Sequence, residues 1–336
     1  MVYLLVAVDD GPRETLLPLA AACNIPLEDV ASPQCADDEF WRQCLDSRHA
    51  DLLVVGTSDS APGRRIEAAA RRAANAARLR IVAIEDFPGN YGGVEEGDAS
   101  LVIVESALAR ELYLRRLAER AVPVEVLSLA RYDAYRERLD TLRDATAARW
   151  RAADGALCVL WAGQPETQAN LRTLDVLLSL LRAHDVRLLF KAHPRDPGYA
   201  DGVYEAVLQD ARVAFEDLTK VTVAGALEAA PQLVATQFSS LAVEAGFHGI
   251  PSLCILLPDA GGNMLEQKKG HAVPLFCAAG GAAFATDARE AGAMFARTLS
   301  DTAFRNELIA AFDRYFEVNE VKTPALLERL QSLVEK

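Results

Sequence analysis

Short apolar runs alternate with longer amphipathic segments along most of the chain. In the first half these runs lie at 2–8, 51–55, 80–84, 101–104 and 122–127. Continuous apolar runs of this length are typical of strands that are covered on both faces of a parallel sheet. Segments with helical periodicity separate them, at 13–23, 38–48, 63–78 and 107–118. The alternation predicts a doubly wound parallel α/β domain.

The second half repeats this alternation. Strand-like runs lie at 157–161, 187–191, 213–215, 233–236 and 252–257. The helix predicted at 170–183 is amphipathic, and its core face consists of Leu171, Leu174, Leu177, Leu178 and Leu181. Two further helices are predicted at 302–316 and 324–335. The predicted fold class is therefore α/β, with two doubly wound Rossmann-like domains.

Chain length supports two domains, because 336 residues are long for a single hydrophobic core. The helical segment at 135–152 is rich in Arg and Asp, and we interpret it as a surface connection. The turn Ala153-Asp154-Gly155 follows it. We therefore place the N-terminal domain at 1–152, the second domain at 153–318 and a C-terminal helical segment at 319–336.

Composition and charge narrow the classes of partner. The formal net charge of −13 disfavours a nucleic acid or an anionic membrane as the main partner. The longest weakly polar run, at 272–285, is too short and too interrupted by glycine to cross a membrane. Scattered cysteines without a CxxC pair, and a chain that begins in a strand without a signal-peptide pattern, predict a reducing, cytoplasmic location. No sequence feature indicates an oligomeric state.

The segment at 232–255 carries the first candidate site. It is predicted to form a strand, a polar turn, a helix and a second strand. Ser239 and Ser240 lie where the helix starts, so their hydroxyl and amide groups can cap the helix and bind an anion. Glu244 lies one helical turn further on, on the same face as Ser240. This arrangement suits a nucleotide, with the diphosphate on the turn and the ribose on Glu244; the alternative is a capped βαβ unit with a surface Glu.

A second constellation follows the strand at 187–191. Lys191, His193 and Arg195 alternate with Ala and Pro in an otherwise acidic chain, and Pro194 ends the strand. Such a basic tip can neutralise phosphate, and His193 can donate a hydrogen bond to a phosphate oxygen of a leaving nucleotide. The alternative is an incidental histidine at a strand end.

Three further loops complete the candidate residues. Gly163 follows the strand at 157–161, on the edge where the donor nucleotide is expected. Asp10 and Gly11 follow the first strand, where Asp10 is a candidate general base or, alternatively, a helix cap. In the loop that begins Gly261-Gly262, Asn263 and Gln267 are candidates for binding sugar hydroxyls; the alternative is a flexible loop before a helix.

These motifs together resemble GT-B-fold glycosyltransferases. The Lys-Ala-His-Pro tip and the Ser-Ser turn are similar to motifs of the group that includes bacterial capsule Kdo- and sialyltransferases and CDP-glycerol glycerophosphotransferases. The resemblance implies that His193, Ser239 and Ser240 bind the phosphates of the donor. The segment from the Ser-Ser turn to Glu244 also resembles UDP-N-acetylglucosamine 2-epimerases, which implies that Glu244 binds the ribose. The resemblance to GT-B-fold proteins further implies two domains facing across a cleft, with the C-terminal helix crossing back to the first domain.

The N-terminal half resembles GT-B-type sugar-pathway proteins less closely. Their first loop often reads His-Asp-Ala-Gly-Gly, whereas here it reads Asp9-Asp10-Gly11-Pro12. The family's first position has therefore changed, and a catalytic role for this loop does not follow from the resemblance.

The leading hypothesis is a metal-independent glycosyltransferase that transfers a sugar from a CMP-, CDP- or UDP-linked donor to a hydroxyl acceptor. The resemblance implies a role in bacterial surface glycan biosynthesis. No DxD-type metal pair stands at a strand end of the second half, and neither a metal nor a separate cofactor is predicted. One alternative is a sugar-nucleotide epimerase or hydrolase, for which Asp10, Glu85, Asp86 and Glu166 are the available acids. Another is a non-catalytic GT-B-like protein that binds a nucleotide or a partner enzyme.

Overall fold

The structure is a computed structural model. It describes residues 1–28, 30, 32–91, 99–116, 122–152, 157–258 and 263–335. The chain divides into two compact units. Unit 1 consists of Met1–Glu137 and Glu320–Lys336, and unit 2 consists of Arg138–Asn319.

Unit 1 is built on a parallel five-stranded sheet whose described strands lie in the order β1-β2-β3-β4-β5. The strands are β1 Tyr3–Val6, β2 Leu52–Val55, β3 Arg80–Ile84, β4 Leu101–Val104 and β5 Val124–Val126. Leu27 forms an isolated parallel bridge with Leu5, which is also paired with Val54 of β2. Because Leu27 and β2 lie on opposite sides of β1, the chain reverses its direction across the sheet at β1. The helices are α1 Asp10–Cys23, α2 Asp38–Arg48, α3 Ala61–Ala76, α4 Ala107–Arg116 and α5 Asp133–Arg136.

Unit 2 is built on a parallel six-stranded sheet in the order β11-β10-β9-β6-β7-β8. The strands are β6 Cys158–Ala162, β7 Arg187–Lys191, β8 Phe215–Asp217, β9 Leu233–Thr236, β10 Ser252–Ile255 and β11 Ala283–Ala285. The helices are α6 Leu139–Ala152, α7 Thr167–His184, α8 Pro197–Ala200, α9 Val203–Asp210, α10 Val223–Glu228, α11 Leu241–Phe247, α12 Asn263–Lys269, α13 Leu275–Ala278, α14 Ala288–Ser300 and α15 Thr302–Phe316.

One hydrophobic core cluster of unit 2 lies between the sheet and α7, and a second cluster packs α10 and α11 against the strands. Trp161 of β6 stacks on Phe190 of β7 with ring centroids 5.1 Å apart. Of the predicted core face of α7, Leu174, Leu177, Leu178 and Leu181 are buried, whereas Leu171 is only partly covered. The predicted fold class is confirmed, since each unit is a parallel sheet flanked by helices.

The helix α6 belongs to unit 2, although its composition suggested a surface connection at the end of the first domain. The guanidinium of Arg143 forms two hydrogen bonds with the carboxylate of Asp313 on α15. Trp150 Nε1 donates to the carbonyl oxygen of Ala230, 3.0 Å away. These bonds explain why the unit boundary lies at 137/138 and not at 152/153. The predicted boundary turn at 153–155 lies outside the described residues.

The last helix, α16 (Thr323–Val334), belongs to unit 1. The carboxylate of Asp133 accepts hydrogen bonds from the backbone N–H groups of Lys322 and Thr323, at 2.9 and 2.7 Å. Arg329 forms a bidentate pair with Glu125 of β5. The C-terminal segment is therefore bound to unit 1 at the start and in the middle of its helix. None of the helices in the described part of the chain combines the length and the apolarity that a membrane crossing requires.

Candidate functional site

The candidate site of unit 2 lies where the strand order of its sheet reverses. From β6 the chain moves to β7 and β8 on one side and then to β9, β10 and β11 on the other. In open α/β sheets, ligands bind at the carboxyl ends of the strands at such a reversal. Ala162, the last residue of β6, is paired with both Lys191 of β7 and Thr236 of β9. The loops that contain Gly163, His193 and Ser239 therefore begin at one level of one sheet edge.

Asn170 of α7 holds these three loops together. Its side chain is fully buried. Asn170 Oδ1 accepts hydrogen bonds from the backbone N–H of Gln164, at 2.8 Å, and from Gln237 Nε2, at 3.0 Å. Asn170 Nδ2 donates to the carbonyl oxygen of Gln164, at 2.6 Å, and to Asp196 Oδ2, at 2.8 Å. Sequence reasoning missed this residue, because one Asn at the start of an amphipathic helix gives no local signal of three distant partners.

The Ser239–Ser240 turn has the predicted position, and α11 begins at Leu241. Ser239 Oγ accepts from the backbone N–H of Leu241, at 3.3 Å, and therefore caps the helix. Ser240 is exposed, has helical backbone angles and makes no side-chain cap bond. The expectation that both serines cap the helix is therefore correct only for Ser239. The Ser240 hydroxyl faces solvent instead.

Lys191 is half-buried at the end of β7, and its side chain reaches the segment 218–221 that follows β8. Its ammonium group donates to the carbonyl oxygens of Leu218, Thr219 and Val221. Burial lowers the pKa of Lys191, while the nearby carboxylates of Asp217 and Glu244 act in the opposite direction. Lys191 therefore fastens the segment 218–221 to the sheet edge. Its predicted contact with the donor phosphate stays a prediction.

His193 is held in one orientation by its own loop. Its Nδ1 accepts a hydrogen bond from the backbone N–H of Arg195, at 3.0 Å. In the neutral ring the proton therefore lies on Nε2, so this nitrogen is a donor. Beneath the loop, the buried carboxylate of Asp196 accepts from Asn170 and from the hydroxyl of Tyr204. These bonds anchor the loop to the core of unit 2.

The remaining candidates of unit 2 lie along the loop after β6 and on α12. A Cβ atom at Gly163 would lie 2.8 Å from the Trp161 ring, so the glycine has a packing role. The carboxylate of Glu166 forms an ion pair with Lys268 of α12, at 3.6 Å. Gln267, on the same helix, is exposed. Asn263 is the first residue of α12, and Gly261 and Gly262 lie outside the described residues. Their predicted contacts with a sugar stay predictions.

In unit 1, Asp10 is the exposed first residue of α1. The preceding residue, Asp9, occupies the N-cap position without a side-chain cap bond. The carboxylate of Asp9 instead accepts from the backbone N–H of Ser60, at 2.8 Å, and from its hydroxyl, at 2.6 Å. A Cβ atom at Gly11 would lie 2.5 Å from Asp86 Oδ2, so the glycine admits this carboxylate.

Buried carboxyl groups line the sheet edge of unit 1 behind this loop. Burial raises the pKa of Glu85 to about 8 and that of Glu67 to about 7. Glu85 Oε1 accepts from the backbone N–H of Gly89, at 2.7 Å, and from the hydroxyl of Tyr113. Glu67 accepts from the N–H and hydroxyl of Ser58, at 2.8 and 2.6 Å. These acids hold the loops that follow β2 and β3. Within the described ranges, no group of His, Cys, Asp or Glu side chains is arranged to hold a metal ion.

No protein-family model matches the sequence, and no curated protein matches it. Solved structures are similar to it over nearly the whole chain. MnaA of S. aureus in complex with UDP has a TM-score of 0.68 at 12% identity, covering 100% of this chain and 97% of that one. The UDP-GlcNAc 2-epimerase of Neisseria meningitidis bound to UDP-GlcNAc has a TM-score of 0.66 at 12% identity, covering 99% and 100%. MurG of Acinetobacter baumannii has a TM-score of 0.62 at 11% identity, covering 98% and 99%.

These likenesses show that the chain has the GT-B type of fold, with two Rossmann-like domains, and at such identities they show the fold alone. The predicted resemblance to UDP-N-acetylglucosamine 2-epimerases has a structural counterpart here. The resemblance to capsule Kdo- and sialyltransferases stays a prediction.

Proposed function

We propose that unit 2 binds a nucleotide sugar and that the protein is a glycosyltransferase. The observation that supports this most strongly is the convergence of the loops with Gly163, His193 and Ser239 on one buried residue, Asn170, at the reversal of the strand order. The similar structures support the nucleotide-sugar part of this proposal, because MnaA is in complex with UDP and the N. meningitidis enzyme is bound to UDP-GlcNAc.

The proposed roles in unit 2 follow the geometry of its loops. The Ser240 hydroxyl and His193 Nε2–H bind oxygens of the phosphate that leaves. Glu244, one turn below Ser240, accepts hydrogen bonds from the ribose hydroxyls. Lys191 holds the segment 218–221 beside this site through three carbonyl groups. The two loops thus supply donors to the nucleotide from fixed positions.

In the proposed reaction, the oxygen of an acceptor hydroxyl forms a bond to the anomeric carbon of the sugar. The bond from that carbon to the phosphate oxygen breaks, and its electron pair leaves with the phosphate. The hydroxyl proton passes to a general base, for which Asp10 is the predicted group. The N–H of His193 stabilises the charge that develops on the phosphate, so the proposal needs no metal ion. The resemblance of the motifs suggests a product that belongs to a bacterial surface glycan.

A second candidate is a sugar-nucleotide epimerase or hydrolase. Two observations favour it: the similarity to UDP-GlcNAc 2-epimerases and the raised pKa of Glu85. Burial raises the pKa of Glu85 to about 8, which favours its protonated form near neutral pH, and Glu85 Oε2 has no partner in the described part of the chain. Epimerisation needs acid and base groups that act on a sugar carbon. We rank transfer first because the Lys-Ala-His-Pro and Ser-Ser motifs resemble those of glycosyltransferases.

The test begins with a thermal-shift panel of CMP, CDP, UDP, GDP and their sugar conjugates. A ligand at 100 times its dissociation constant stabilises the fold by about 2.7 kcal/mol, which shifts the melting temperature by a few degrees. We expect a shift with one nucleotide, and we expect it to be lost in His193→Ala. The matched control is His184→Ala, because His184 is exposed at the end of α7 that precedes β7, away from the site edge.

Product analysis then separates the reactions. Incubation of the nucleotide sugar alone should leave it intact if the protein is a transferase, whereas an epimerase or a hydrolase converts it without an acceptor. Binding of the nucleotide sugar without its conversion, both with and without an acceptor, would indicate a non-catalytic nucleotide-binding protein. A panel in which no nucleotide shifts the melting temperature would refute the nucleotide-sugar proposal.

A further inference from the structure

Two buried carboxamide groups lie at the reversal of the strand order in unit 2. Gln164 follows β6 and Gln237 follows β9, and their exposed fractions are 7% and 1%. Gln164 Nε2 and Gln237 Oε1 have no hydrogen-bond partner within the described residues. One is a donor and the other an acceptor. Buried polar atoms nearly always have a partner in folded proteins, so this pair calls for an explanation.

The neighbouring bonds hold the backbone of Gln164 and the carboxamide of Gln237. Gln164 uses its backbone N–H and carbonyl oxygen to bind Asn170, so its side chain is not needed to hold the loop. Gln237 donates to Asn170 through Nε2, and this bond fixes the orientation of the carboxamide and leaves Oε1 as an acceptor without a partner within the described residues. Asn170 therefore holds the backbone of one loop and the carboxamide of the other, and the unpaired donor and the unpaired acceptor lie in the loops that follow the adjacent strands β6 and β9. Leaving such groups unpaired destabilises a fold, which is tolerated where a ligand completes the bonds.

The neighbourhood indicates which part of a ligand reaches this pair. Ser239 and Ser240, the proposed phosphate-binding residues, follow Gln237 directly along the chain. Across the loop, the ion pair between Glu166 and Lys268 places α12 beside the residues that follow Gln164. A sugar is joined to the terminal phosphate by a single oxygen, so it lies within one ring's length of that phosphate.

We propose that Gln164 and Gln237 bind the sugar of the nucleotide sugar, Gln164 donating to a sugar oxygen and Gln237 accepting from a hydroxyl or an acetamido N–H. This inference rests on the proposed function, and it identifies the residues that distinguish a nucleotide sugar from the bare nucleotide. A site built to pair with a polar group discriminates strongly against a ligand that lacks the group, because its own buried atoms then stay unpaired.

The test uses Gln164→Met, which is similar in size and retains the backbone bonds to Asn170. We expect the melting temperature to stay the same or to rise, because an unpaired polar atom is replaced by an apolar one. Calorimetric titration should show unchanged affinity for UDP and a loss of about tenfold for the UDP-sugar, the loss expected for one well-formed hydrogen bond. Parallel titrations with UDP-glucose and UDP-GlcNAc distinguish a hydroxyl from an acetamido group as the partner.

The matched control is Gln232→Met at the opposite end of β9. Gln232 Oε1 accepts a hydrogen bond from the backbone N–H of Cys158, at 2.6 Å, so its role is structural. We expect the reverse pattern, with a lower melting temperature and unchanged affinities for UDP and for the UDP-sugars. Both variants replace a Gln by Met next to the same sheet, so a difference between them distinguishes a Gln that binds the sugar from a Gln that stabilises the fold.

Two results would overturn the inference while the proposed function stands. In the first, Gln164→Met lowers the melting temperature as much as Gln232→Met does, which makes the Gln164 side chain structural. In the second, Gln164→Met keeps the wild-type preference for the UDP-sugar over UDP, or weakens both ligands equally. Failure of the proposed function has a different signature: wild-type protein then binds none of the nucleotides or nucleotide sugars, and the inference falls with it.

Discussion

Replacing Asn170 with Ala should disconnect three loops of unit 2 at once. The substitution removes four hydrogen bonds: two that Asn170 accepts, from Gln164 and Gln237, and two that it donates, to Gln164 and Asp196. Three groups, the N–H and the carbonyl of Gln164 and the Nε2 of Gln237, then lose this partner at a cost of about 1 kcal/mol or more each, and Asp196 Oδ2 loses one of its two bonds but keeps the one from Tyr204. We therefore expect a loss of about 4 kcal/mol in the free energy of unfolding of unit 2. So large a loss of stability from one substitution is unusual, and a broken network of buried hydrogen bonds is one of its few causes.

The matched control is Thr173→Ala, one turn further along α7. Thr173 is also fully buried, but its hydroxyl donates only to the carbonyl oxygen of Ala169 in the same helix, at 3.0 Å. We expect a loss of about 1 kcal/mol and no change in the loops. Urea unfolding gives the free energies. Hydrogen–deuterium exchange at 163–168, 192–198 and 237–240 reports the loops, and all three should exchange faster in Asn170→Ala alone.

The variant Asn170→Asp tests the direction in which the stability of unit 2 changes with pH. A carboxylate retains the two accepted bonds, but it cannot donate to Asp196 and instead opposes its charge. The like charge raises the pKa of the new carboxyl group in the folded protein, so stability should fall as the pH rises and recover on acidification. The reasoning is refuted if Asn170→Ala destabilises unit 2 no more than Thr173→Ala does, or if fewer than three loops exchange faster.

Two further predictions, with three substitutions, test burial and packing. Burial raises the pKa of Glu85 from 4.5 to about 8 in the folded protein, so unit 1 holds a proton that the unfolded chain releases. The free energy of unfolding of unit 1 should therefore fall between about pH 4.5 and pH 8, by up to about 1.4 kcal/mol per pH unit. Urea unfolding at several pH values should show a smaller fall for Glu85→Gln. The same pH dependence in the wild type and in the variant would contradict this reasoning. In α11, a Cβ atom at Gly246 would overlap the buried ring of Phe312, so Gly246→Ala should cost about 1–3 kcal/mol. Gly292→Ala in α14 meets its nearest atom only at 3.4 Å and should be neutral or stabilising in the same assay, and equal effects of the two would refute the packing argument.

Much of the fold was predictable from the sequence, because a buried parallel strand is a local apolar run. Arg187–Lys191 and Leu233–Thr236 begin and end at the predicted residues. So do Arg80–Ile84 and Leu101–Val104 in unit 1. The short edge strand Ala283–Ala285 was not predicted, because Gly and Ala around it give no contrast between apolar and polar positions. Local hydrophobicity thus predicts central strands better than edges.

The sequence also indicated where the candidate site lies, because polar residues directly after buried strands must emerge at the carboxyl edge of a parallel sheet. His193 and Ser239 follow this rule. The roles of individual side chains did not follow from it. Lys191 donates to three carbonyl groups of a loop that lies about 30 residues further along the chain, and Ser240 does not cap its helix. These outcomes depend on neighbours that only the strand order supplies.

The sequence by itself determined the periodic properties of the chain: its buried strands, most of its helices and the two parallel sheets that they imply. Only the tertiary structure decided that α6 belongs to unit 2 and that Asn170 joins the loops of Gln164, Asp196 and Gln237. The physical reason is the distance along the chain over which each property is determined. Burial of an apolar run is set by neighbouring residues, whereas the partner of a buried polar atom is chosen from residues that the ordering of the sheet brings within 3 Å.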